Sequence, residues 1–399
     1  MNKNKWLLLF ILFLFPINIY ALNYPKLDSK IVEVYDMTDG KILYEVNSKK
    51  SSSIASLTKI ATVITAIENI KNVDEKVTIT KEILSTVSWD ASVAGLKIGD
   101  VVTYKDLLYA SMLPSGADAT QSIAILSSGS VDNFVEKMNK LAEKIELKNT
   151  HFVNVTGLDV DGHYSTADDM RKLLVYALKN NLFKEIYTTK DYTLSNGLKV
   201  KTTLYKYSSS KKDIEKILGS KTGYTGNAGY CLSSLSNINS HEMIIIVLNA
   251  NHVGNDYYNI IDTKKLINFL NSNYKDELLV KKGTLIKQIS VVLSDIDTYD
   301  VITSKDVLKY LPSDYNKDDL RIEFVGKDEL SYKNKKGDNI GIINYYFKDE
   351  LFLKENIMLD VKLNLNVFKL LKKYLFLIVI IVVALILLTG FILRKKLMR

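Results

Sequence analysis

The chain of 399 residues holds a single cysteine, Cys231, which excludes an internal disulfide. That cysteine sits in the strand-like stretch Tyr230-Cys231-Leu232-Ser233-Ser234-Leu235 and reads as a core residue, because a catalytic thiol would want a histidine partner. Only four prolines and eighteen glycines occur, so no linker stands out by composition, and there is no internal repeat or low-complexity segment. The four histidines, His151, His163, His241 and His252, show no metal-binding spacing to cysteine or carboxylate. No metal and no cofactor is expected. Arginine is also scarce, at Arg171, Arg321, Arg394 and Arg399. The net charge of +8 arises from 53 basic against 45 acidic residues, without a basic block interleaved with aromatics ahead of the last apolar run. That pattern excludes nucleic acid as the expected partner and suits a lysine-rich surface in an anionic environment.

Two apolar runs lie at the ends of the chain. Lys3 and Lys5 precede Trp6 to Phe15, and Ala21 closes a short polar stretch, the order of a secretory signal. The first run is too short to span a bilayer comfortably. Tyr374 to Leu393 carries no charge, and its twenty residues at ~1.5 Å each reach about 30 Å, the hydrocarbon thickness. Basic residues flank this run on both sides, so charge alone says little about its orientation. The expected organisation is a signal peptide at 1–21, a large folded domain at 22–275, a small β-rich domain at 276–366 and a membrane anchor at 367–399 with its span at 374–393. A chain of this length exceeds a usual single domain, in keeping with two folded units.

The chemistry concentrates in three short motifs. Ser56-Leu57-Thr58-Lys59 places a hydroxyl and an amine three residues apart, which on a helix puts one above the other. Serine needs an adjacent base to become a nucleophile, and lysine serves only when its amine is neutral. The run Ile60 to Ile67 is apolar almost all round, so Lys59 is expected to be buried and its pKa depressed. The spacing alone is weak, since Ser208/Lys211, Ser209/Lys212 and Ser272/Lys275 share it in polar surroundings. The order in which Ser115-Gly116-Ala117 and then Lys221-Thr222-Gly223 follow carries more information.

Together these motifs resemble the S-x-x-K, S-x-N and K-T-G set of penicillin-binding proteins and serine β-lactamases. The flanks of Ala55 to Ile60, Gly95 to Asp100, Leu107 to Ala119, Gly157 to Met170 and Gly219 to Leu232 are similar to the serine-type D-alanyl-D-alanine carboxypeptidases, the low-molecular-mass penicillin-binding proteins of the peptidase S11 type. The resemblance runs from about Lys30 to about Leu270, and more weakly to about residue 360. It implies Ser56 as nucleophile, Lys59 as base and Ser115 as proton relay. Lys221, Thr222, Gly223 and Tyr224 would bind substrate, and the backbone N–H groups of Ser56 and Tyr224 would form the oxyanion hole. The implied substrate is a peptidoglycan stem peptide ending in D-Ala-D-Ala, with β-lactams as covalent inhibitors. The implied setting is the cell membrane, held through lipid contact by the C-terminal helix, with the catalytic domain on the extracytoplasmic face and a role in cell-wall construction and cell shape.

Two positions depart from the family pattern. Ala117 stands where Asn is usual, and 251–256 lacks the arginine often found there. A catalytically weakened penicillin-binding or scaffold protein, a β-lactamase and a D,D-endopeptidase on the same fold are therefore alternatives. A class A β-lactamase would need a glutamate where Gly157 to Tyr164 offers only Asp159 and Asp161.

The pattern along the chain predicts an α/β fold, an α+β sheet covered by helices, and the resemblance implies that it is the penicillin-recognising serine transferase, β-lactamase-like fold. Strands are expected at 32–36 and 41–44 around Asp39-Gly40, in 191–203 and from Lys221 to Leu248. Helices are expected at 131–147, with Phe134, Met138, Leu141, Ala142 and Ile145 on one face, at 166–180 and at 262–270.

Overall fold

The structure is a computed structural model and describes residues 22–208 and 214–397; the expected signal segment lies outside the described residues. Two compact units divide the chain, Met1–Tyr274 and Lys275–Arg399.

The first unit begins with the hairpin β1 (Ile31–Asp36) and β2 (Lys41–Val46), turned at Asp39-Gly40, where Gly40 takes φ +69°. A 3₁₀ turn, Ala55–Leu57, leads into α1 (Thr58–Asn69). There follow β3 (Lys76–Thr78), α2 (Lys81–Ser85), β4 (Val101–Thr103), α3 (Tyr104–Met112), α4 (Ala117–Ser128) and α5 (Val131–Lys144). After α6 (Ala167–Leu178) and α7 (Asn181–Thr188) come β5 (Asp191–Thr193), β6 (Lys199–Lys201) and α8 (Leu204–Tyr207). The chain then returns as β7 (Ile217–Thr225), β8 (Gly229–Ile238) and β9 (His241–Ala250), and ends in β10 (His252–Val253), β11 (Asp256–Tyr257) and α9 (Tyr258–Asn273).

The central sheet has the order β2-β1-β9-β8-β7 and is antiparallel throughout. Strand β9 explains why helices cover both faces. Met243 to Leu248 is one unbroken apolar run, and every side chain in it is buried. Because strand side chains alternate, Ile244, Ile246 and Leu248 join the main core while Met243, Ile245 and Val247 face the other way. Helix α9 packs on β8 and β9, and α6 packs on β1 and β9. The expected face of α5 is buried at Phe134, Met138, Leu141 and Ala142, whereas Ile145 is half-buried just past the last helical residue. Helix α1 is buried from Thr58 through Ala66, and the polar groups carried inside with its apolar residues find partners such as Val155 O for Thr62 Oγ1 and Thr156 O for Lys59 Nζ.

A buried ion network fastens α6 to the sheet. Arg171 Nε donates to Glu33 Oε1 at 2.6 Å, its guanidinium also pairs with Asp168, and it lies 4.8 Å from the centroid of the Tyr35 ring. Burial outweighs the arginine's charge and pushes the Glu33 carboxyl upward.

The second unit is all-β apart from its last element. Apart from the first residue of β12 (Tyr274–Val280), which ends the first unit, it contains that strand with β13 (Leu285–Val292), β14 (Thr298–Ile302), β15 (Val307–Pro312), β16 (Leu320–Gly326), β17 (Glu329–Ser331), β18 (Asn339–Phe347) and β19 (Glu350–Met358). Its core gathers Ile289, Val291, Val301, Ile343, Tyr345 and Leu359. Gly326 and Gly341 face each other across the β16–β18 pair under the Phe324 ring, where a Cβ at either would lie within 2.6 Å of that ring. The unit closes with α10 (Val367–Leu397), among the described residues the one helix long and apolar enough to cross a membrane.

Removing one partner of a buried ion pair strands the other, at a cost of about 3–5 kcal/mol. Arg171→Ala is therefore expected to lower the first thermal transition by roughly 6–15 °C in a unit of this size. The double substitution Glu33→Leu, Arg171→Leu should recover most of the loss. Calorimetry of the three proteins checks this, and a drop below about 3 °C for Arg171→Ala would remove the network from the account.

Candidate active site

Ser56 lies inside the 3₁₀ turn that runs into α1, one turn ahead of Lys59. The Lys59 amine donates to Ser56 Oγ at 3.0 Å and to the Thr156 carbonyl at 2.7 Å. Lys59 is buried, and desolvation pushes its amine down to about 7, against a smaller opposing effect from Asp118. A lysine in this state is a base at neutral pH.

The turn is held from three sides. Ala55 adopts φ +48°, a left-handed conformation unusual for a residue with a Cβ. Thr58 Oγ1 donates to the Ala55 carbonyl at 2.9 Å. His163 fixes that hydroxyl. Its Nδ1 accepts from the Val153 amide at 3.0 Å, so its Nε2 carries the proton and donates to Thr58 Oγ1 at 2.8 Å. Burial, reinforced by His151, pushes His163 down to about 4, so the ring is neutral and this tautomer persists. Gly157 presses on the same carbonyl from the 154–158 loop; a Cβ there would stand 1.9 Å from Ala55 O. Its φ of +86° is the second reason for glycine at this position. The loop is shaped by Asn154, whose Oδ1 accepts from the amides of Thr156 and Gly157 at 3.1 and 2.7 Å and whose Nδ2 donates to Leu158 O at 2.9 Å. That arrangement aims the Thr156 carbonyl at Lys59.

Strand β7 forms the opposite wall. A Cβ on Gly223 would lie 3.1 Å from the Ser56 amide nitrogen and 3.0 Å from the Ala55 methyl, so the strand and the Ser56 turn meet closely. Lys221 is buried, and its amine donates to the Thr222 carbonyl at 2.7 Å. Burial, and then the charge of Lys59, push Lys221 well down. Thr222 Oγ1 lies 2.5 Å from Thr203 Oγ1, and the Thr203 amide donates to Leu113 O at 3.0 Å, tying β7 to the end of α3 just before Ser115. Tyr224 is exposed, with its ring centroid 4.4 Å from that of Tyr230.

Ser115 precedes α4, which packs on α1. Its φ is +65°, and its Oγ is buried without a hydrogen-bond partner among the described residues. The structure therefore brings Ser56, Lys59 and the β7 backbone together directly, while Ser115 stands just ahead of α4 with its buried hydroxyl uncommitted among the described residues. Ala117 is buried and offers Lys59 no side-chain acceptor. Asp118 does not replace one, because its carboxylate accepts from the amides of Ala94, Gly95 and Leu96 at 2.8, 2.9 and 3.0 Å and is turned into that loop. Asp159 is likewise engaged, accepting from Thr225 Oγ1 at 2.8 Å and the Asn227 amide at 3.1 Å. Cys231 is buried in β8, and burial pushes its thiol up to about 12, as a core residue requires.

Sequence reasoning missed the Thr156 carbonyl, Asn154, the Thr58–His163 pair and Thr203. The only signals were Gly157 beside Asn154 and a histidine without metal partners.

Comparison with known proteins gives the family. The family described as D-alanyl-D-alanine carboxypeptidase matches residues 19–252, and the one described as penicillin-binding protein 5, C-terminal domain, matches residues 274–365. The chain is 30% identical over 321 residues to the D-alanyl-D-alanine carboxypeptidase DacF of Bacillus subtilis, covering 79% of this chain and 81% of that protein. It is also 30% identical over 332 residues to DacA of Escherichia coli, covering 80% of each. The crystal structure of penicillin binding protein 5 from Haemophilus influenzae superposes with a TM-score of 0.60 at 25% identity, covering 86% of this chain and 100% of that one. The chain belongs to the D-alanyl-D-alanine carboxypeptidase family of serine hydrolases, with its penicillin-recognising fold followed by an all-β domain and one apolar helix.

Proposed function

We propose that Ser56, Lys59, Ser115, Lys221 and Thr222 carry the family's D,D-carboxypeptidase activity, removing the terminal D-alanine from peptidoglycan stem pentapeptides. The observation that supports this most is the 3.0 Å contact between Ser56 Oγ and a buried amine brought to about 7. Neutral Lys59 takes the Ser56 proton as Oγ attacks the carbonyl of the penultimate D-alanine. By resemblance, the Ser56 and Tyr224 amides receive the developing oxyanion, each such donor contributing about 2.7–4 kcal/mol. The free hydroxyl of Ser115 passes a proton to the departing D-alanine amine. Lys221 and Thr222 hold the terminal carboxylate, whose charge favours the protonated form of Lys221 that burial disfavours. Water then hydrolyses the ester. A β-lactam enters the same steps and stalls as the acyl-enzyme. Helix α10 anchors the chain in the cell membrane, with the catalytic unit on the extracytoplasmic face and the basic tail inside.

Ala117 favours a second reading, a weakened or silent penicillin-binding protein. The Thr156 carbonyl argues against silence, because it already gives Lys59 an acceptor. Asp159, held by Thr225 and Asn227, is a poor candidate for the deacylating carboxylate of a β-lactamase.

Incubation with a stem pentapeptide should yield the tetrapeptide and free D-alanine by mass spectrometry, and Ser56→Ala should yield neither while unfolding at the wild-type temperature. Cleavage elsewhere in the peptide, or activity in the Ser56→Ala protein, contradicts the assignment.

Ala117→Asn should change turnover by less than about two decades, the effect of one hydrogen-bonding group. The new amide would orient substrate but also favour the charged form of Lys59. A wild-type chain that forms no acyl-enzyme, with acylation restored by Ala117→Asn, would support the silent reading.

A further inference from the structure

The β unit passes into α10 through three residues, and each is fastened to the loop that follows β13. Leu363 is still buried in the β core, and Val367 already belongs to the helix. Between them, the amide and the side chain of Asn364 donate to the Asp295 carboxylate at 3.0 and 2.8 Å, and the Asp295 amide donates back to Asn364 O at 3.0 Å. Leu365 pairs with Ser294 in an isolated bridge. The Asn366 amide donates to Leu293 O at 3.0 Å, while Asn366 Oδ1 accepts from the Lys369 amide at 3.1 Å and so caps the helix. Leu293 presents that carbonyl with φ +57°, an uncommon conformation for a residue with a side chain. Lys369 reaches back from the first turn, and its amine donates to Ser294 O and Asp297 Oδ1 at 2.7 Å each. No glycine interrupts 293–297 or 364–369, so the joint is a socket without a hinge.

The socket sets the height of the loop along the helix. Lys369 precedes Tyr374, where the uncharged run begins, by five residues, a rise of about 7.5 Å. A headgroup layer is about 5–8 Å deep on each side of the hydrocarbon. On the reading of α10 as the membrane anchor, the loop bonded to Lys369 therefore stands at headgroup level. The surface around the joint suits that place. Ile296, Leu365, Val367 and Phe368 are exposed, Phe368 by 85%. By helical spacing Val367, Phe368 and Leu371 share one side of α10, and Lys369, Lys372 and Lys373 share the other. At an interface the apolar side sinks toward the acyl chains and lysine stems extend toward phosphates.

We infer that the 293–297 loop and the 365–368 turn form a membrane-contact surface of the β unit, seating Ile296, Leu365 and Phe368 among lipid headgroups and fixing the tilt of the β unit against α10. The inference rests on α10 being the anchor. The β unit is then a rigid pedestal that touches the bilayer with one end, and the exposed apolar residues at that end are covered by lipid.

The test uses the full chain with its two tryptophans, Trp6 and Trp89, replaced by phenylalanine. The protein is reconstituted in vesicles of phosphatidylcholine and phosphatidylglycerol, with or without bromine placed high on the acyl chains, where it quenches tryptophan on contact. Single tryptophans are introduced as Ile296→Trp and Phe368→Trp at the joint and as Leu385→Trp inside the span. Leu285→Trp marks the far end of β13, an exposed position about 23 Å along the strand from Val292. Ile296→Trp and Phe368→Trp should be quenched at least about half as strongly as Leu385→Trp, and Leu285→Trp should not be quenched. Asp295→Ala strips three hydrogen bonds from the joint and should lower quenching at Ile296→Trp while leaving Leu385→Trp unchanged. An unquenched Ile296→Trp beside a quenched Leu385→Trp overturns the inference and leaves the anchor standing. Equal quenching at Leu285→Trp overturns it too, as does quenching at Ile296→Trp that Asp295→Ala does not change. So does a blue-shifted but unquenched Ile296→Trp, which means that a protein surface such as a second copy of this chain covers the site. An unquenched Leu385→Trp removes the anchor reading itself and the inference with it.

Discussion

Two lysine amines, Lys59 and Lys221, are buried near enough to one another that the charge of the first lowers the second. Desolvation drives both Lys59 and Lys221 downward, and the charge of Lys59 lowers Lys221 further. Holding them there costs stability at neutral pH, and the surrounding structure is arranged to withstand it. Helix α1 is buried around its whole circumference, the sheet is covered on both faces, and Gly223 lets β7 reach the nucleophile turn without a side chain between them. Positive φ at Ala55 and Ser115, of 48° and 65°, adds backbone strain at the two serine-bearing turns.

The site depends on backbone as much as on side chains. Ala117 takes away an acceptor, and the loop shaped by Asn154 supplies one as the Thr156 carbonyl. The chain Val153, His163, Thr58 and Ala55 works in the same way: neutral His163 passes a hydrogen bond to the threonine that holds the carbonyl just before Ser56. A histidine kept neutral down to about pH 4 gives that link no reason to break near pH 7, where Lys59 changes charge.

Much of this was legible from residue order. The run Ile60 to Ile67 announces a buried helix, Met243 to Leu248 a strand covered twice, and Phe134 to Ala142 a helix with one apolar face. Ser56, Lys59 and Lys221-Thr222-Gly223 are recognisable because side-chain identity is what a motif records. The rest was hidden for a physical reason. Thr156 acts through a carbonyl that every residue possesses, and its aim is set by Asn154 and Gly157 in a loop with no periodicity. His163 lies 105 positions from its partner Thr58, so only the folded chain shows what it holds. The role of Asp118, bound to the amides of the 94–96 loop, likewise depends on the direction of one side chain.

The central claim is that a neutral Lys59 is the base, and the pH dependence of β-lactam acylation tests it most directly. The amine must lose its proton to act, so the acylation rate constant should rise with pH through about 7 and level off above it, following the lowered value of Lys59. In Lys59→Arg the guanidinium stays charged at every accessible pH, so acylation should fall by several decades and lose that inflection. A wild-type rate that is flat from pH 5 to 9, or a Lys59→Arg protein acylated within about tenfold of wild type with the same inflection, would contradict the account and move the base to another group.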